Sequence, residues 1–161
     1  MPSGRFITPR PVNEEVRDYG PGSEDKRLLK QELKRQAENP VEVPIVIGGA
    51  PVLTGQTGRI ACPHDHGLEL GVYHKGTPEA VARAIGAAAA AKGAWQRLPW
   101  EDRAAVFLRA AELLATTWRA TLNAATMLGQ SKTAFQAEID SAAELVDFWR
   151  FNPFYAQELY A

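Results

Sequence analysis

The sequence predicts an α+β chain: mostly helices, with a small antiparallel β unit set between the first helix and the rest. Three observations carry this. Apolar residues recur at three- and four-residue spacing through most of the chain after Thr77, the signature of amphipathic helices. Three short runs rich in β-branched residues, VPIVIGG, GRIACP and LELGVYH, crowd into residues 43–75 and are parted by turn residues. Ser23, Thr77 and Thr133 each stand immediately before a helical pattern, where an N-cap side chain belongs. At 161 residues the chain has the size of one domain.

Residues 1–22 contain Pro2, Pro9, Pro11 and Pro21 and read as an extended arm. A helix over 23–39 follows. Ser23 caps it, Glu24 and Asp25 supply the charge its N-terminus favours, and Leu28, Leu29 and Leu33 give it a narrow apolar stripe. Asn39-Pro40 ends it, because proline removes a donor and disfavours helix in the residue before it. The β unit spans 43–75. Its Gly48-Gly49 pair reads as a hairpin turn, since no glycine-rich phosphate-binding pattern opens a helix after it.

Helices occupy 77–161. Thr77 caps the first, with Pro78 at the position where its missing N–H costs little. Ala80, Val81, Ala84, Ile85 and Ala88 mark its packing face, and the alanines at 87–91 keep it slim enough for close approach. Pro99 begins the next helix, which offers Val106, Leu108, Leu113 and Leu114 for burial and breaks at Thr116-Thr117. Gly129 suits a C-terminal cap. Thr133 and Gln136 have the spacing of a capping box for the last helix. That helix reaches Ala161 with no terminating glycine or polar tail, so the end looks cut.

A formal net charge of -1, with 45% hydrophobic and 23% charged residues, fits a globular protein and lacks the basic footprint of a nucleic-acid binder. No apolar run approaches the roughly 18 residues that cross a bilayer. The first 26 residues lack an apolar leader and carry Glu14, Glu15 and Asp18, so the expected location is cytoplasmic. The single cysteine, Cys62, fits a reducing compartment. As a nucleophile it is outweighed by its place at the end of a strand before Pro63. His64, Asp65 and His66, with His74 nearby, lack zinc-motif spacing and read as a polar turn between strands, leaving no metal site.

The last helix has two faces. At about 100° per residue, Phe135, Ile139, Ala142, Val146 and Trp149 share the core stripe. Glu144 points the other way, beside Asp140, Ala137, Ser141, Phe148 and Phe151. Aromatic residues around a charge suggest a helix sandwiched between the core and a second surface, with Glu144 lining an interface or cleft. Glu138, Asp140 and Asp147 read as surface or structural charges.

The segment TMLGQSKTAFQAEIDSAAELVDFWRFN, with YGPGSEDKRLL, PHDHG and AAAAAKGAWQRLPWEDRAAVFLRAAELL, resembles the N-terminal third of the Δ1-pyrroline-5-carboxylate dehydrogenase family (L-glutamate γ-semialdehyde dehydrogenases) within the aldehyde dehydrogenase superfamily. The resemblance implies an N-terminal fragment of an α/β aldehyde-dehydrogenase-like fold, truncated before the cofactor-binding strands and the catalytic domain. It implies NAD-dependent oxidation of glutamate γ-semialdehyde to glutamate in proline breakdown, by a cysteine thiolate that lies outside these residues. It also implies a small-molecule substrate and a homo-oligomer for the whole enzyme. No catalytic or cofactor-binding residue falls in this chain, which alone is expected to be inactive. One substrate-binding residue does: Glu144 matches a glutamate that meets the substrate ammonium. The competing expectation is a non-catalytic helical interaction module derived from that family.

Overall fold

The computed structural model describes residues 6–160. The expectations for residues 1–5 and Ala161 lie outside the described residues. Helix α1 (Glu24–Glu38) starts where Ser23 accepts the Lys26 N–H. It packs on α4 (Arg119–Gln130) and buries Leu29, while Leu28 stays 38% exposed.

Pro44 divides the first β run into β1 (Val41–Val43) and β2 (Ile45–Ile47). Strand β2 pairs antiparallel with β3 (Ala50–Val52) across Gly48 and Gly49, whose φ of 61° and 81° suit the two central residues of a tight hairpin turn. Strands β4 (Thr57–Cys62) and β5 (Asp65–His74) form a second, antiparallel hairpin. The β unit is therefore two sheets, and one pairing departs from the antiparallel pattern: β1 lies parallel to β5 in the order β1-β5-β4. Gly71 makes this possible. A Cβ there would stand 1.9 Å from the Val41 carbonyl oxygen, so the two backbones can approach only across a glycine.

Helix α2 (Pro78–Arg97) is capped by Thr77 Oγ1, which accepts the Ala80 N–H. Its expected packing face is bare. Only Ala80 is buried, whereas Val81 and Ile85 are 55% and 65% exposed. The apolar stripe exists, but no element among the described residues lies over it. Helix α3 (Trp100–Ala115) packs against the last helix and buries Leu114, while Val106, expected inside, is exposed. The chain breaks at Thr116 before α4 resumes. Gly129 lies within the last turn of α4, and Ser131, at φ 57°, takes the left-handed capping position instead.

The final helix is built from α5 (Ala134–Ala137), a π turn (Glu138–Ala143) and α6 (Glu144–Tyr160). Thr133 and Gln136 form the reciprocal capping box. The π turn inserts one extra residue per ring and shifts the helical phase by about 100°. The buried stripe accordingly runs Ala137, Glu138, Ala142, Ala143, Val146 and Pro153, and Phe135, expected in the core, is 64% exposed. Ala111, Leu114, Ala115 and Val146 form the core, flanked by Leu122, Leu145 and Trp149.

Candidate functional site

Among its described residues, from Phe6 on, the arm has no helix or strand before the turn at Pro21, yet it is docked along the last helix. The Thr8 N–H donates to Gln157 Oε1 at 2.7 Å. The Asn13 amide and the Glu14 N–H donate to the two carboxylate oxygens of Asp147 at 2.6 and 2.7 Å. The Arg17 N–H and the Tyr19 hydroxyl donate to Glu138 at 2.8 and 2.6 Å.

Glu138 is the hub of this seam and is fully buried. Its carboxylate receives the Arg119 guanidinium and the Asn123 amide as well as the arm. Burial pushes its pKa up, but hydrogen bonds from Arg119, Tyr19 and the Arg17 amide outweigh that and hold it below the ordinary carboxylate value. Arg119 also reaches Glu14, whose other oxygen takes Arg150 at 2.7 Å. Glu138, expected as a surface or structural charge, is structural. The spacing Ala137-Glu138 to Ala142-Ala143, one residue longer than an α-helical repeat, is the signal that places it inside.

Glu144 stands at the end of the π turn, where its N–H donates to the Ile139 carbonyl, five residues back. Its side chain is exposed on the face opposite the core and lines an open groove of about 400 Å³ with Asn13, Asp147, Phe148, Phe151, Asn152 and Tyr155. Among the described residues no hydrogen bond or ion pair reaches its carboxylate, whereas neighbouring Asp147 is occupied by the arm. A carboxylate walled by aromatic rings suits a small cationic group, which gains from both the charge and the ring faces. A second groove of about 520 Å³, lined by Trp100, Phe107, Leu145, Phe148, Trp149 and Pro153 among others, is almost wholly apolar.

The remaining sequence candidates do other work. Cys62 is completely buried, its Sγ 3.4 Å from the His64 ring, and His64 Nδ1 lies 2.8 Å from Ser131 Oγ. The turn is Pro63-His64, and Asp65 and His66 begin β5 rather than belonging to it. His74 is buried; its Nδ1 accepts the Thr54 and Gly55 N–H groups, and its Nε2 lies 2.9 Å from Glu42. It ties the loop after β3 to β1. The Gly48-Gly49 turn closes a hairpin and opens no helix, so these residues do not fit a dinucleotide. No helix among the described residues is long and apolar enough to cross a membrane.

Comparison with known proteins extends this picture. The chain is 46% identical over 157 residues to the Delta-1-pyrroline-5-carboxylate dehydrogenase of Agaricus bisporus, covering 97% of this chain and 29% of that protein. It is 42% identical to a mitochondrial protein of the same name from Dictyostelium discoideum, again over 97% of this chain and 28% of the relative. The crystal structure of the Delta-pyrroline-5-carboxylate dehydrogenase from Mycobacterium tuberculosis bound with NAD superposes with a TM-score of 0.95 at 45% identity, over 98% of this chain and 30% of that one. The chain thus spans less than a third of the length of these relatives. The model of the aldehyde dehydrogenase family matches residues 53–161, and with more than half of its length matched the chain belongs to that family.

Proposed function

We propose that this chain serves as the N-terminal portion of an NAD-dependent dehydrogenase that oxidises L-glutamate γ-semialdehyde to glutamate in proline catabolism, and that Glu144 receives the substrate ammonium. The observation that carries the reading is the Glu144 carboxylate, without a partner among the described residues, in an aromatic-walled groove, on a chain 46% identical to a protein named for this activity. The overall reaction consumes aldehyde, water and the oxidised cofactor NAD+ and yields carboxylate, NADH and two protons. This chain's part is to recognise the amine end of the substrate. The nucleophile, the nicotinamide site and the bound NAD belong to the rest of the enzyme, since Cys62 is enclosed and no glycine-rich turn opens a helix among the described residues. A cytoplasmic setting, which the single cysteine suits, and a homo-oligomeric whole enzyme belong to the same proposal.

The test compares NADH formation by the enzyme that carries this chain on glutamate semialdehyde and on an uncharged aldehyde of similar length. Faster turnover of the amino-acid aldehyde supports the reading. Equal rates, or no NADH from either, overturn it. The 161-residue chain alone should produce none.

A further inference from the structure

The arm grips the last helix at the start of the π turn and again beyond its end. At the turn's first residue, Glu138 takes the Arg17 N–H and the Tyr19 hydroxyl; beyond the turn, Asp147 takes the Asn13 amide and the Glu14 N–H. Glu144 stands between these two anchors, with its own N–H closing the i→i−5 bond to Ile139. A π ring is a rare, less favourable winding than an α ring, so a segment free to choose reverts. Reversion removes one residue's worth of phase and turns everything beyond it by about 100° relative to what precedes it. Glu144, Phe148 and Phe151 would then swing together away from Asn13 of the arm, and the groove that the four line would come apart. Two fixed points on one extended segment of arm forbid that rotation.

We infer that arm residues 13–19 splint the π turn, and that Tyr19 is a positioning residue through which the enzyme selects an aldehyde bearing an ammonium group. This rests on the role of Glu144 proposed above. Tyr19 lies outside the Glu144 groove: it lines a separate recess with Arg17, Asp25 and Arg119. Its influence on Glu144 therefore passes through Glu138 and the π turn. The phenolic oxygen is fixed twice, donating to Glu138 at 2.6 Å and accepting from the Asn123 amide at 2.8 Å. Burial and the Glu138 charge push its pKa up, which keeps the donor proton in place.

The experiment measures kcat/KM for glutamate semialdehyde and for an uncharged aldehyde in Tyr19→Phe, Asn13→Ala and Glu144→Gln versions of the enzyme that carries this chain. In Tyr19→Phe the ratio of the two values should fall about threefold to tenfold, mainly through KM for the cationic substrate. A residue that only stabilises the fold lowers both values alike, so an unchanged ratio overturns the splint. If the ratio falls in Glu144→Gln and holds in Tyr19→Phe, the splint fails and the role of Glu144 stands. If Glu144→Gln leaves the ratio unmoved, both fall. Where Tyr19→Phe folds poorly, Asn13→Ala loosens the other anchor. Amide exchange over residues 138–147 should then rise relative to residues 100–115, and unchanged protection there overturns the splint.

Discussion

Arg119 and Glu138 face each other in full burial, with the guanidinium Nε 3.2 Å from each carboxylate oxygen and a second contact through Nη2. The pair joins α4 to the π turn, and the arm closes over it through Glu14, Tyr19 and the Arg17 amide. Two charges this deep are tolerable only because each has its partner. Glu138→Gln keeps the shape and strips the charge, leaving Arg119 with Glu14 alone. The expected loss is about 3 kcal/mol, read from the denaturant midpoint. An unchanged midpoint would mean that the pair adds nothing to stability.

The same cluster gives stability a pH window. Glu138 and Glu14 are both held below their ordinary 4.5; burial opposes this in each, and the arginine contacts prevail. Depressed carboxylates stabilise fully above their unfolded value, so the contribution is lost as pH falls below about 4.5 toward the folded pKa values. Tyr19 is raised above its ordinary 10.0, first by burial and then by Glu138. A raised group stabilises fully below its unfolded value, so that contribution drains away as pH climbs past about 10. The melting temperature should be level between these limits and fall on both sides. A level profile down to pH 3 would show that the carboxylates stabilise nothing by being ionised.

Glu144→Gln addresses the substrate directly. Removing the charge from a carboxylate that meets an ammonium should cost about 1.5 to 3 kcal/mol, or one to two decades in kcat/KM for glutamate semialdehyde. An uncharged aldehyde should lose little. The ratio between the two substrates cancels any general folding defect, and a constant ratio would return Glu144 to the status of a surface charge.

The isolated chain should associate with itself. Val81 and Ile85 on α2, Trp118 before α4 and Phe148 on α6 are each more than half exposed, and large apolar side chains left uncovered in this way favour association. Sedimentation at several concentrations should show rising mass, reduced in a Val81→Glu, Ile85→Glu double variant. A concentration-independent monomer with a sharp cooperative melt would favour the self-standing interaction module over part of an enzyme.

Local chemistry made much of this fold readable. Ser23, Thr77 and the Thr133-Gln136 box act on neighbours three residues away, and the Gly48-Gly49 turn on residues either side. What lay hidden depends on distant partners. The parallel pairing of β1 with β5 is set by a glycine 30 residues from Val41. The stripe on α2 is visible in the sequence, but whether it is buried depends on a covering element, and none among the described residues lies over it. A wheel of constant step cannot register the π turn, so it grouped Phe135, 64% exposed, with Val146, which is fully buried. The groove side of Glu144 survived that error because Phe148 and Phe151 lie beyond the turn together with it.

The docked arm also bears on how the chain is made. Thr8 is joined to Gln157, 149 residues on, and Asn13 and Glu14 to Asp147. At about 5 to 20 residues per second, a ribosome needs roughly 7 to 30 s to travel from the first partner to the last. Thr8 waits through that interval, and Asn13 and Glu14 through most of it, for a partner on the last helix. The arm thus reaches its full set of contacts only after the last helix is made.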